Sequence, residues 1–253
     1  VCMSGEISGI LSGTMAREMK LEILSNNMAN INTVGFKEDR VFQIPTTPLP
    51  EWDNKAGSAQ KAFSLNNLSV LPISSFTNFE QGHLKETGNA LDVALDGDGF
   101  FSIQTPGGIQ YTRKGNFVLN SNGTLVTQEG YRVLGKGGSE IQISGQAVVV
   151  DPSGAIHVDG IEVDSFNIVD FSNKKGLQKN GNSLYSPIDP DDQGLPAEKT
   201  LVQQGFIEGS NVDSIKIMTE MIEVIRGYES YQKVLQAMNE TNSKSVNELG
   251  KLS

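Results

Sequence analysis

The chain has 253 residues, enough for a substantial core and more than one module. Charged residues make up 20% and hydrophobic ones 37%, which argues against a wholly disordered chain, and a net charge of −10 argues against nucleic acid and anionic membranes as partners. The single cysteine, Cys2, excludes an internal disulfide, and the apolar run Ala147-Val148-Val149-Val150 falls far short of the roughly 20 residues of a membrane span.

The first dozen residues show neither a basic segment nor a continuous apolar one, so no cleaved secretory signal is expected. Met3 is a candidate biological start. A helix is predicted from about Ser4 to about Asn30, with apolar side chains at Ile7, Leu11, Leu21, Leu24, Met28 and Ile31. Gly9 and Gly13 weaken it but let a neighbouring helix come close. Asn26, Asn27, Asn30 and Asn32, then Gly35, end it. The polar run Ser25-Asn26-Asn27 reads either as a solvated face or as amides that hydrogen-bond between packed helices.

Residues 37–80 read as an extended connector, because Pro45, Pro48, Pro50 and Pro72 break any helix. The next stretch, to about residue 200, alternates like half-buried strands: Leu91, Val93 and Leu95; Phe101 and Ile103; Phe117 and Leu119; Leu125; Tyr131 and Val133; Ile141 and Ile143; Ile156 and Val158; Ile161 and Val163; Phe166 and Ile168. Gly107-Gly108, Asn122-Gly123, Ser153-Gly154 and Asp159-Gly160 mark turns. Many short strands at close spacing predict an antiparallel meander or barrel-like body. Residues 187–200 read as a polar loop leading out of it.

After Gln203-Gln204-Gly205 the chain leads into a second helix, with Ser210 or Asn211 as its cap. Its stripe is Ile217, Met221, Val224, Tyr228, Tyr231, Leu235 and Met238, then Asn242, at coiled-coil spacing. About 39 residues of helix would reach roughly 58 Å, too long to stand with one apolar face and no partner. The predicted architecture is therefore mainly β with terminal α-helices: an assembly helix at 1–36, a connector at 37–80, a central antiparallel β domain at 81–204 and a second assembly helix at 205–253, the two helices pairing as a coiled coil. Such a chain is built for assembly more than for chemistry.

The candidates for chemistry are weak. Asp92, Asp96 and Asp98 around Gly97 and Gly99 suit a tight turn better than a metal or acid/base site. Gly97-Asp98-Gly99 is followed by β pattern, not by the helix of a nucleotide loop. Asp189-Pro190-Asp191-Asp192 starts like a calcium loop but has Thr200 where the bidentate acid belongs. His83 and His157 have no nucleophile at a motif spacing. No catalytic residue, cofactor or metal is expected.

Four motifs carry a resemblance. Ser25-Asn26-Asn27-Met28-Ala29-Asn30 with Thr33-Val34-Gly35-Phe36-Lys37 resembles the N-terminal signature of bacterial flagellar rod and hook proteins, with Met28 where leucine is usual. Gly88-Asn89-Ala90-Leu91-Asp92-Val93-Ala94-Leu95 and Gly97-Asp98-Gly99-Phe100-Phe101 resemble the central motif, and Tyr111-Thr112-Arg113-Lys114-Gly115-Asn116-Phe117 continues it. Gln204-Gly205 with Glu208-Gly209-Ser210-Asn211-Val212 is similar to the lead-in to the C-terminal helix. Within the family, Met218-Thr219-Glu220-Met221-Ile222 and Arg226-Gly227-Tyr228-Glu229 look most like the proximal-rod type. A hook protein would need a large extra outer domain, for which this length leaves no room.

The resemblance implies a structural subunit of the basal-body rod, the drive shaft of the flagellum, assembled in the periplasmic space. Its partners would be copies of itself and other rod subunits, and it would be exported through the flagellar type III apparatus. Neither nucleic acid binding nor membrane insertion is implied. The alternatives are a distal-rod subunit, an extracellular β binding module on a helical stalk, and a hydrolase built on the three aspartates. The assembly interface is then expected along Ile7, Leu11, Leu21, Leu24, Asn26, Asn27, Met28, Asn30 and Ile31 of the first helix and along the stripe Ile217 to Asn242 of the second.

Overall fold

A computed structural model of the chain describes residues 3–43, 73–197 and 199–249. It opens with α1 (Met3–Ala29), followed by β1 (Asp39–Gln43) and β2 (Ile73–Thr77). Then come β3 (Leu84–Glu86), β4 (Val93–Asp96), β5 (Phe100–Thr105), β6 (Gly108–Thr112), β7 (Val118–Leu119), β8 (Leu125–Val126) and β9 (Arg132–Val133). The second half holds β10 (Val148–Val150), β11 (Ala155–Val158), β12 (Ile161–Ser165), β13 (Ile168–Asp170), β14 (Leu177–Lys179) and β15 (Leu184–Pro187). The chain closes with β16 (Leu195–Pro196), β17 (Leu201–Gln204), β18 (Phe206–Glu208) and α2 (Ser214–Leu249). The fold is mainly β, antiparallel, with a helix at each end, in agreement with the sequence reading. Among the described residues no helix is long and apolar enough to cross a membrane.

These elements form two compact units. One comprises Val1–Asn27, Asp39–Phe76 and Ser214–Ser253; the other comprises Met28–Glu38 and Thr77–Asp213. The first holds α2, α1 up to Asn27 and most of the β1–β2 ribbon, on which Phe42 and Phe76 meet edge to face at 5.9 Å. Pro45, Pro48, Pro50 and Pro72 of the expected connector lie outside the described residues.

The second unit is the β body. Its largest sheet runs β14-β15-β6-β5-β9-β8-β7, with β13 also paired to β5. β5 is covered on both faces because neighbouring side chains alternate. Phe101 and Ile103 join a core with Phe117, Val133, Ile156 and Phe166, whereas Phe100 turns to a second cluster with Tyr111, Phe171 and Tyr185. The Asp159-Gly160 turn joins β11 to β12 with both φ angles positive, 53° and 84°, as a two-residue primed turn requires.

Three sequence expectations are corrected. Ile141 and Ile143 are buried but sit among isolated bridges, not in a strand. The lead-in to the second helix is not a simple approach: β17 pairs with β4 and β18 with β3, so the last strands of the body close onto its first. Leu201-Val202-Gln203-Gln204 shows no polar–apolar alternation, which hid the strand. Finally, α2 starts at Ser214, so neither Ser210 nor Asn211 caps it; Asn211 has a different task, described below.

Candidate assembly site

The two helices of the first unit run antiparallel. Gly13 lies against Tyr231, where an added Cβ would come within 3.3 Å of the ring. One turn on, the Arg17 guanidinium sits over the same ring, 4.9 Å from its centroid. Gly227 leaves the space that Arg17 fills, and Lys20 pairs with Glu220 at 3.6 Å. Numbers rise along α1 as they fall along α2. Gly13 thus does what the sequence suggested, while the matching role of Gly227 has no signal beyond its motif.

Of the expected interface residues, Leu24, Ile217 and Val224 are buried. Leu21, Met28, Ile31, Met221, Tyr231 and Leu235 are half-buried, and Tyr228 is exposed. The side chains of Ile7, Leu11, Met238 and Asn242 are outside the described residues. The buried stripe therefore has cover within the chain. A second apolar stripe on α2 stays exposed among the described residues: Met218, Ile222 and Ile225 are 53%, 51% and 41% exposed. At about 100° per residue this second stripe lies roughly 120° around the helix from the first. Periodicity alone does not single it out, because one heptad-like seam already satisfies the period.

The amides divide. Asn27 is fully buried and engages the backbone of Asp39 from both sides: its Nδ2 donates to the Asp39 carbonyl at 2.7 Å and its Oδ1 accepts from the Asp39 amide at 3.0 Å. It copies a β-ladder within the chain. Asn26 is exposed, and Asn30 accepts from the Thr33 hydroxyl at 3.1 Å.

In the β body, three sequence motifs meet in a buried ionic clasp. Glu208 and Lys37 are fully buried and Arg113 is 2% exposed. Lys37 Nζ donates to Glu208 Oε1 at 2.6 Å and to the Glu80 carbonyl at 2.7 Å. Arg113 donates to Glu208 Oε2 at 3.2 Å and to the Gly97 carbonyl at 2.8 Å, and its guanidinium lies 5.3 Å from the Phe100 ring centroid. The Gly82 amide also donates to Glu208, at 2.9 Å. Burial pushes the Lys37 ammonium below its ordinary pKa, Glu208 pulls it back up, and Arg113 opposes it. Gly35 makes the approach possible. Its φ is +65°, and a Cβ there would lie 2.6 Å from the Arg113 backbone. Asn211 laces the same region: it accepts from the Glu38 amide at 2.8 Å and donates to the carbonyls of Asn78 and Glu80, each at 2.9 Å. All three clasp residues stood in the motifs, but no local pattern shows that Lys37, Arg113 and Glu208 share one carboxylate.

The acidic candidates do not converge. Asp92 accepts from the Thr87 hydroxyl at 2.7 Å, Asp96 from Gln203 at 2.9 Å, and Asp98 pairs with Lys174. In the Asp189–Asp192 loop the carboxylates cap nearby amides, Asp189 that of Asp191 and Asp192 that of Gly194. His157 lies 3.6 Å from Asp151. Among the described residues no group of three His, Cys, Asp or Glu side chains could hold a metal ion. The hydrogen bond from Lys174 holds the Asp98 carboxyl below the usual carboxylate range. Its stabilising contribution is therefore present above the unfolded pKa of about 3.9 and is lost as pH falls through the lower folded value. Asp98→Asn is expected to cost less than about 1 kcal/mol at neutral pH, the size of an exposed ion pair, and to weaken the acid dependence of unfolding. Titration calorimetry with Ca²⁺ and Zn²⁺ should give the same trace for variant and parent; binding lost in the variant would contradict this.

A β body and a pair of helices, one of them bearing an exposed apolar stripe, define a structural subunit made to join others. Comparison with known proteins places that class. The model of the flagellar hook protein FlgE/F/G D1 domain matches residues 94–165, that of the flagellar basal body rod FlgEFG protein C-terminal region matches 203–249, and that of the flagella basal body rod protein matches 11–37. Each matched segment contributes one member of the clasp. The chain is 36% identical to the flagellar basal-body rod protein FlgG of Bacillus subtilis (strain 168), over 95% of this chain and 97% of that protein. It is 34% identical to FlgF of Rhizobium meliloti (strain 1021), over 95% of each, and 34% identical to FlgF of Caulobacter vibrioides, over 96% of each. The chain belongs to the flagellar basal-body rod protein family. It is a structural rod component of the flagellar basal body, and its partners are other rod components.

Proposed function

We propose that this chain is a proximal-rod subunit, without catalytic activity, that polymerises through its terminal helices. It crosses to the periplasmic space through the flagellar type III apparatus, without a cleaved signal, and there joins copies of itself and other rod subunits. The observation that carries the reading is the division of labour on α2. Ile217 and Val224 are already buried within the subunit, while Met218, Ile222 and Ile225 present exposed apolar side chains to a neighbour. A heterologous contact of that kind generates an open filament. The absence of catalysis is supported by carboxylates that each serve a separate local partner. The proximal position is supported by the run Met218-Thr219-Glu220-Met221-Ile222 and by Arg226-Gly227-Tyr228-Glu229.

Immunogold labelling of isolated basal bodies tests the reading. Stoichiometric label on the proximal rod is the expected result. Label on the distal rod would move the chain to the other rod position, and basal bodies without the protein would overturn the proposal.

A further inference from the structure

The β body is closed by its own last segment. Every stretch of residues 200–211 is bonded to a part of the body that precedes it in the chain. β17 lies along β4 in full register, Leu201 opposite Asp96 through Gln204 opposite Val93. Val93, Ala94 and Leu95 are buried, and the β4 ladder has β17 as its one strand partner among the described residues. Val202 enters the main core beside Leu95 and Ile156. Gln204 donates to the carbonyls of Ala90 and Val148 and accepts from the Val150 amide, at 2.8, 2.9 and 3.1 Å. Glu208 then supplies the anion for Lys37 and Arg113, and its carbonyl accepts from the Gly35 amide at 2.7 Å.

Removing this segment in thought leaves an open slot in the core, a β4 without its strand partner and two cations at a buried site with no anion. Buried charge without a counter-charge is among the most unfavourable arrangements a protein can hold. A body folded as far as residue 199 is therefore not a stable intermediate. We propose that residues 200–211 are a closing strap: the β body reaches its folded state only when the strap is laid in, with Glu208 arriving last between Lys37 and Arg113. A chain that emerges N-terminus first, from a ribosome or from any channel, keeps this unit open until nearly all of it is out. The inference stands whichever rod position the chain occupies.

Refolding of the full-length chain, followed by pulsed hydrogen exchange and mass spectrometry of peptides, tests the strap. β5 and β6 pair with each other and need no strap for their own ladder. The expected result is that amides of β5, β6 and β9 gain protection at the same rate as those of β4, β17 and β18. Lys37→Met leaves an even Arg113–Glu208 pair and should keep that single rate. Glu208→Gln should slow both sets together by tenfold or more. Protection of β5, β6 and β9 at least tenfold ahead of the strap, in the parent or in Lys37→Met, would overturn the proposal. So would a Glu208→Gln chain that loses protection in the strap alone. If Glu208→Gln does not fold at all, as a strict requirement for closure allows, the parent and Lys37→Met rates decide.

Discussion

A chain carrying Glu208→Gln is expected to lose about 3–5 kcal/mol of the stability of its β body, the cost of breaking a buried ion pair from one side. The amide can still accept one hydrogen bond, but it leaves Lys37 and Arg113 fully and almost fully buried with no anion between them. For a unit of this size that is a fall of roughly 10 °C or more in melting temperature. Lys37→Met should cost distinctly less, because it removes the cation whose burial is least favourable and leaves Arg113 bonded to Glu208 at 3.2 Å. Thermal unfolding of the two variants beside the parent checks the ranking. Equal losses, or a Glu208→Gln loss near 1 kcal/mol, would mean that water reaches the clasp and screens it.

The second large effect is on assembly and spares stability. Met218→Asp with Ile222→Asp places two carboxylates on the outer stripe of α2, where the parent side chains are about half exposed. In the free subunit they remain hydrated, so circular dichroism and the melting of the β body should match the parent. Between packed subunits each unpaired carboxylate meets a desolvation penalty of several kcal/mol, added to the lost apolar contact. A repeated interface carries that penalty at every copy, so cells with this variant should be non-motile and build no hook. Tyr231→Asp should behave differently. Tyr231 packs on Gly13 under Arg17, and its loss should loosen the helix pair within the subunit before assembly is attempted.

Periodic features were the most legible part of the chain. Two helices, most of the hairpin-rich middle and the Asp159-Gly160 turn follow from local pattern, because side-chain period and turn chemistry are properties of neighbouring residues. β17 and β18 were not legible, since their identity as strands comes from β4 and β3, more than a hundred residues earlier. The clasp failed for the same reason. Lys37, Arg113 and Glu208 each look like surface charges in their own segments, and what buries them is tertiary closure. On α2 the stripe Ile217, Val224 and Tyr231 was correctly read as apolar, yet periodicity cannot say whether a seam faces its own chain or a neighbour. The pairing with Gly13 and Arg17 supplies that answer for the inner stripe, and Met218, Ile222 and Ile225 stay exposed on another face. Asn27 shows the same limit, since no local pattern shows that its amide bonds the Asp39 backbone.

Site-specific photocross-linking in assembled basal bodies tests the division of α2 most directly. A benzophenone side chain at Ile222 and, in a separate strain, one at Tyr231 would be activated before the rods are dissociated. The account predicts covalent adducts between subunits from position 222 and adducts within one chain, to α1, from position 231. Adducts between subunits from position 231, with none from position 222, would contradict it and return the inner stripe to the role of assembly seam.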